Sequence, residues 1–517
     1  MTSDRVLTIL HKFSIVLLVL SFLSTPARTQ TSGASVPSAQ PTRSFARIVQ
    51  LMQRKLDQSR LASQIPGAQV GFVYIDGETP EGKPRYVFGS VVSGVSNLES
   101  ITQLKKSDRL LAGSIGKTFV SSLALMLVQD GKLNLDDKIE KWLGSEAWFK
   151  KLPNAKDITL RMLLNHSSGI DNHAELENFQ KQALKSAGRN IKYEELIEWV
   201  LNKKPLFPAG TGYHYADTNY ILAGMIIEKA TGKSLYEQIE DRILKPFKLE
   251  RTTPSNTLTI PEMATGYLEN KPVIVGGKFT INPQWEWAGG GFASNAEDLA
   301  RWASLLYGGA VLTQKSLDEM FNSTSSGEGS TYGLGAMVTR SKWGRSYGHD
   351  GEFPGYSSDM RYYAKYNIAI AVMANADGTV GVDSFLSSAC DNFAGVIIGA
   401  TGGKQVSQAE QLKFQAQAET WLGLIFGGKF DESWEQLSDR LQRRFPKDVW
   451  ANTMKAFLNK AGKFKSRKLT AIVYSNPESK SIAIDFESSF SKLLTASETL
   501  TLELENGVWK VESYSLR

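Results

Sequence analysis

Apolar residues at Ile48, Leu51, Met52 and Leu56 recur at helical spacing and predict an amphipathic helix from Ser44 onward. Two strand-like runs follow, residues 68–75 and 86–92, parted by the turn-rich Asp76-Gly77-Glu78-Thr79-Pro80. The long middle of the chain reads as helices and loops. One of its helices, Phe119 to Val128, is apolar nearly all round, which predicts burial on every side. Strand patterns return at residues 347–360, 361–363 and 368–374. A sheet built from both ends of a segment, with helices between, predicts an α+β or three-layer arrangement rather than a βαβ repeat.

The pattern resets around Thr401-Gly402-Gly403-Lys404. Helical spacing at 409–426, 432–444 and 448–458 gives way to strand-like runs at 468–474, 481–486, 498–504 and 508–514. Asn506-Gly507 between the last two is a strong hairpin signal. Helices followed by an antiparallel sheet predict a second, small α+β domain. At the other end, Arg5 and Lys12 flank the apolar stretch 13–23, which leads into Ser24-Thr25-Pro26-Ala27. That order fits a secretory signal cleaved after Ala27, and it is shorter than the roughly 20 apolar residues a membrane span needs. The expected division is a signal at 1–27, a flexible leader at 28–43, a large domain at 44–400, a linker at 401–408 and the small domain at 409–517. The expected location is periplasmic or secreted, with no stable span once the signal is removed.

Composition narrows the chemistry. Of 517 residues, 42% are hydrophobic and 22% charged, ordinary for a folded chain. A net charge of +6 over this length, without a basic run, gives no electrostatic footprint for nucleic acid. One cysteine, Cys390, excludes an internal disulfide, a Cys-based zinc site and a lipobox. Five histidines without an HExxH pattern do not suggest a metal enzyme. No metal and no cofactor are expected.

The sharpest local feature is Gly113-Ser114-Ile115-Gly116-Lys117-Thr118, opening the all-apolar helix. Lys117 is the only charge between Arg109 and Asp130, and desolvation favours the neutral, basic form of a buried amine. Ser114 lies three residues earlier, on the same helix face and at its positive end. That spacing suits a nucleophile beside its base. A plain helix cap with a snorkelling lysine fits this segment equally well. Two other matches are decoys. Gly116-Lys117-Thr118 ends like a P-loop, but Leu111 stands where its first glycine is required. Gly344-Arg345-Ser346-Tyr347-Gly348 matches a nucleophile elbow, but the only later histidine is His349, three residues on.

Further segments carry a resemblance. Ser114-x-x-Lys117, Tyr215-x-Asp217 and His349-x-Gly351 stand in order with two supporting blocks, Ile158 to Gly169 and Gly289-Gly290-Gly291-Phe292-Ala293-Ser294. Together they resemble the class C-like branch of the serine β-lactamase and penicillin-binding-protein superfamily, over roughly residues 45–395. The resemblance implies an antiparallel sheet flanked by helices with an all-helical subdomain, and a serine hydrolase working through an acyl-enzyme. Carried over, Ser114 is the nucleophile and Lys117 and Tyr215 share general-base work in a coupled titration. The backbone N–H groups of Ser114 and Glu352 form the oxyanion hole. His349 lines the site and hydrogen-bonds substrate or Tyr215, while Asp217 and Gly351 contact substrate. His166 and His214 are expected to be scaffolding.

Two departures bear on substrate. Asp217 replaces the usual asparagine and His349 the lysine usual in β-lactamases; both lower positive potential where a substrate carboxylate would sit. A peptide, amide or ester substrate is therefore expected over a β-lactam, with cell-wall-derived peptides among the candidates. The rival readings are a β-lactamase, a slowly acylating penicillin-binding receptor, and a chain whose small domain does the work. That domain resembles a small bacterial family of uncharacterised function with an NTF2- or cystatin-like outline, through Trp421 to Ile425, Asp431 to Trp434 and Gly507 to Tyr514. Its tryptophans Trp421, Trp434, Trp450 and Trp509 are expected to be core, and Lys463, Lys465, Arg467 and Lys468 a solvated face.

Overall fold

The computed structural model describes residues 43–183, 188–322, 324–325, 330–341, 343–401, 408–474, 480–492 and 496–516. The signal expected at 1–27, residues 28–42 of the leader expected at 28–43 and residues 402–407 of the linker lie outside the described residues. Among the described residues no helix is long and apolar enough to cross a membrane.

The first helix, α1 (Arg43–Ala62), turns Ile48, Met52 and Leu56 inward onto a sheet begun by β1 (Gly67–Glu78) and β2 (Pro84–Asn97). The chain then leaves the sheet. It forms α2 (Gly116–Gln129), a helical region with short helices Leu160–Leu164, Glu177–Ala183 and Glu194–Glu198, then α3 (Asp217–Thr231) and α4 (Ala296–Tyr307). It returns through β3 (Met337–Ser341), β4 (Gly344–Phe353), β5 (Tyr356–Tyr363) and β6 (Ile368–Ala374), and closes with α5 (Val380–Thr401). These strands run in the order β3-β4-β5-β6-β1-β2, every neighbour antiparallel, within a nine-stranded sheet extended by short edge strands. The α+β expectation holds, with the sheet joining both ends of the domain.

Alternation explains why β6 reads as an unbroken apolar run. Ile368, Ile370, Val372 and Ala374 face the layer of α1 and α5, while Ala369, Ala371 and Met373 face the core shared with α2 and α4. A strand covered on both faces needs apolar residues at every position. Cys390 is buried in α5, its thiol directed at the carbonyls of Asp359 and Ile370. The run expected as one strand over 347–360 is instead two, β4 and β5, joined by a tight hairpin whose Gly355 takes φ +91°. Ser346 sits inside β4 with its hydroxyl on Thr339 and not on a strand-to-helix turn, so the elbow match is coincidental.

The C-terminal part contains α6 (Gln408–Phe426), α7 (Phe430–Glu435), α8 (Asp439–Arg444) and α9 (Lys447–Ala461), then β7 (Phe464–Tyr474), β8 (Ser481–Phe490), β9 (Ala496–Glu505) and β10 (Val508–Leu516). The four strands pair in sequence order, antiparallel. Asn506 and Gly507 both take positive φ, 50° and 82°, as a two-residue hairpin turn requires. The helix expected over 432–444 is broken, because Leu437 bridges to Val511 and Ser438 caps a new helix with its hydroxyl. Trp421 and Trp450 are core residues tied by their indole N–H groups to Ser433. Arg467 departs from the solvated face expected of it. It pairs with fully buried Glu498 beneath Phe426, Phe464 and Phe486.

Candidate active site

Ser114 occupies a single 3-10 turn, Gly113–Ile115, that runs directly into α2. The turn is pressed against β4. A Cβ on Gly113, whose φ is +54°, would lie 2.4 Å from the Glu352 nitrogen, and one on Gly351 would lie 2.0 Å from the Ala112 carbonyl. Only glycine tolerates both approaches, and they set the Glu352 N–H beside the Ser114 turn. The Ser358 hydroxyl, donating 2.8 Å to the Ala112 carbonyl, fastens β5 to the same turn.

One helical turn on, Lys117 is 0% exposed and donates to three acceptors: the Ser114 hydroxyl at 2.8 Å, Asp217 Oδ1 at 2.5 Å and the Gly289 carbonyl at 2.5 Å. Three acceptors match the three donors of an ammonium group. Asp217 opens α3, and its residue Ala216 at the cap offers no side-chain acceptor. The cap is supplied from elsewhere: Asn172 Oδ1 accepts from the Asp217 N–H at 3.1 Å, and His166 Nδ1 from the Ala216 N–H at 3.2 Å. His166 is thus the loop fastener expected of it. Burial holds its imidazole well below its ordinary range, and so neutral. His214 belongs to the same scaffold: its N–H donates to the His166 carbonyl at 3.0 Å and its ring lies 3.7 Å from Asp171.

The Tyr215 hydroxyl stands apart from Lys117. The Lys117 ammonium lies over the Tyr215 ring, 4.8 Å from its centre. The buried phenol oxygen has no full hydrogen-bond partner among the described residues. Burial pushes this phenol well above its usual range, Asp217 adds to the rise and the Ser114 hydroxyl opposes it. Lys117 therefore bonds the serine directly, with the Tyr215 ring packed against its ammonium.

His349 does not line the site as expected. It is 0% exposed, and its Nδ1 lies 2.5 Å from the Asp350 carbonyl, which can only accept. Nε2 is therefore the acceptor and takes the Tyr332 hydroxyl proton at 2.8 Å. Tyr215 is a ring neighbour of His349, centroids 6.1 Å apart, rather than its hydrogen-bond partner. Burial lowers the His349 pKa to about 4, with Asp350 opposing, so this position carries no charge at neutral pH.

Ser114, Tyr215, Asp217, Gly351 and Glu352 meet on one cavity of about 950 Å³. The sequence reading missed Glu286, His173 and Tyr332. Glu286 lines the cavity, and burial pushes its carboxyl up to about 8, opposed by Lys117 and reinforced by Asp217. Its signal was an acid wedged between Trp285 and Trp287, just before the glycine run. His173 is buried, its Nδ1 2.9 Å from the Thr218 hydroxyl. Among the described residues no cluster of three or more His, Cys, Asp or Glu could hold a metal ion.

The family model described as Beta-lactamase matches residues 47–386, and that described as Protein of unknown function (DUF4019) matches residues 417–514. A penicillin-binding protein of Bacillus subtilis is 25% identical over 312 residues, covering 55% of this chain and 64% of its own. The N-acetylmuramyl-L-alanine amidase of the same organism is 30% identical over 252 residues, covering 46% and 55%. The chain thus spans less than two thirds of the length of these curated relatives. A crystal structure of a D-stereospecific amidohydrolase from Streptomyces sp. superposes with a TM-score of 0.56 at 28% identity, covering 65% of this chain and 98% of that one.

Proposed function

This chain belongs to the Beta-lactamase family, in its class C-like serine hydrolase branch, and on that premise we propose that it cleaves an amide, peptide or ester bond through an acyl-enzyme on Ser114. The observation that carries the reading is the buried Lys117 amine, held 2.8 Å from the Ser114 hydroxyl by two further acceptors. In the proposed reaction Ser114 Oγ bonds to the substrate carbonyl carbon. Its proton passes to Lys117, which in the same step gives one of its own to Asp217. The developing oxyanion is met by the Ser114 and Glu352 N–H groups. Collapse breaks the bond to the leaving amine or alkoxide, which Tyr215 protonates while the serine proton, returned from Asp217 through Lys117, restores the phenol. Water then reverses the sequence and frees the acid. His349, through Tyr332, holds β4 in place rather than touching substrate.

The relatives' names support amide chemistry and make cell-wall-derived peptides reasonable substrates. The signal-like N-terminus supports a periplasmic or secreted location. Lys117 is paired with Asp217 and His349 is neutral, so the site offers a β-lactam carboxylate little attraction. A panel of a p-nitrophenyl ester, amino-acid p-nitroanilides and nitrocefin tests this. The expected result is turnover of an ester or anilide, lost in Ser114→Ala, with nitrocefin kcat/KM at least 100-fold lower. Nitrocefin hydrolysis approaching about 10⁸ M⁻¹s⁻¹, the diffusional range, would overturn the substrate assignment.

A further inference from the structure

The cavity wall is rich in carboxyl groups and poor in cations. Eight carboxylic side chains line it against one guanidinium, Arg361. That guanidinium is held by Asp359 at 2.7 Å. Lys117, the other nearby cation, is already matched by Asp217. Both cations therefore have a carboxylate partner, and among the described residues most of the carboxyl groups have no cation.

Glu286 differs from the rest of the set. Its Oε2 is buried and has no hydrogen-bond partner among the described residues. A point one bond beyond the Gly290 Cα lies 2.7 Å from both Glu286 Oε1 and the Gly113 carbonyl, which places the carboxyl beside the Ser114 turn. Next to it the wall turns apolar, with Phe179, Ile281 and Trp285. A carboxyl lacking a partner, beside an apolar wall and within reach of the nucleophile, suits a cationic amine carried on an apolar side chain.

Resting on the hydrolase reading, we propose that Glu286 anchors a substrate ammonium, so that the pocket selects acyl donors bearing a free amino group next to the scissile carbonyl. Binding such an amine supplies the missing partner, whereas a free carboxylate in the same place finds no cation free to receive it. The preferred substrates are then amino-acid amides and esters, or peptides cleaved behind an unblocked N-terminal residue. Peptides read from their C-terminal carboxylate are disfavoured.

Calorimetric titration of the full chain with Ser114→Ala isolates binding from turnover. The probes are the amides of D- and L-phenylalanine and their N-acetyl counterparts. At least tenfold tighter binding of one free amine over its acetylated form is expected, falling below threefold when Glu286→Gln is added. Equal affinity for the two forms, no measurable binding of either amine, or a preference that survives Glu286→Gln overturns the proposal. Failure of the hydrolase reading would appear separately, as absent turnover by the parent protein.

A melting series shows that the variant folds. The unfolded chain ionises Glu286 in the ordinary carboxylate range, while the folded chain holds its proton up to about 8 against the opposing charge of Lys117, with Asp217 and buried Tyr236 also facing it. The parent therefore loses stability as pH rises between those values. Glu286→Gln should melt with the parent near pH 4 and above it at pH 9.

Discussion

Lys117→Ala is expected to slow acylation of Ser114 by about 10³-fold or more, within the 10²–10⁴ typical of a positioned base, and to destabilise the fold as well. The two effects share one cause. The amine fills a fully buried position and satisfies Asp217, the Gly289 carbonyl and the Ser114 hydroxyl together. Its removal leaves the Asp217 carboxylate without its counter-charge. Breaking a buried pair from one side costs roughly 3–5 kcal/mol. Asp217 keeps 26% of its side chain exposed, so roughly 2–3 kcal/mol is expected here. The companion Lys117→Met with Asp217→Asn removes both charges and should recover most of that stability while remaining as slow as Lys117→Ala. Thermal melts and p-nitrophenyl ester kinetics on the three proteins read the two effects apart. Near-parental acylation by Lys117→Ala would remove the lysine from the proposed chemistry.

Gly351→Ala is expected to cost about 10²-fold in kcat, with KM changed far less. An alanine Cβ has no rotamer with which to avoid the Ala112 carbonyl 2.0 Å away or the Ser358 hydroxyl at 2.6 Å. β4 must therefore back away from the Ser114 turn, carrying the Glu352 N–H with it. Oxyanion donors act only at a narrow distance, so a shift of about 1 Å costs orders of magnitude in rate. Overpacking alone costs about 1–3 kcal/mol, which separates folding from catalysis in a melt. Gly423→Ala in α6, where nothing lies within 4 Å, is the control and should leave kcat unchanged while stabilising the helix by up to about 1 kcal/mol. An unaltered kcat in Gly351→Ala would mean that the Glu352 N–H does not act on the oxyanion.

Legibility in the sequence followed the range of the interactions. β6 and α2 were readable because burial on both faces leaves an unbroken apolar signature, and the Asn506-Gly507 hairpin because two positive φ values demand those residues. The β4–β5 hairpin was marked by Pro354-Gly355, a turn pair that the single strand expected over 347–360 ran across, and Gly355 takes the positive φ the turn needs. The break at Ser438 depends on a bridge from Leu437 to Val511, 74 positions later, and no local periodicity records that.

The site divides the same way. Ser114 and Lys117 are three residues apart on one helix, so their pairing could be read from spacing. Asp217 was legible as a departure from a motif, but its 2.5 Å contact with Lys117 spans 100 positions. His349 was expected in contact with substrate or Tyr215. Tyr332, on a separate strand, takes its Nε2 instead, and nothing in the sequence near Tyr332 marks it. Glu286 stands just before the glycine run in the sequence, but its approach to the Ser114 turn, 173 positions away, is set by the fold alone.

The central claim is a covalent bond to one hydroxyl, and intact-mass spectrometry after exposure to a fluorophosphonate tests it most directly. A single adduct is expected on the parent protein, none on Ser114→Ala and far slower labelling of Lys117→Ala. A parent protein that gains no mass, or a Ser114→Ala variant that gains the same adduct, would contradict it.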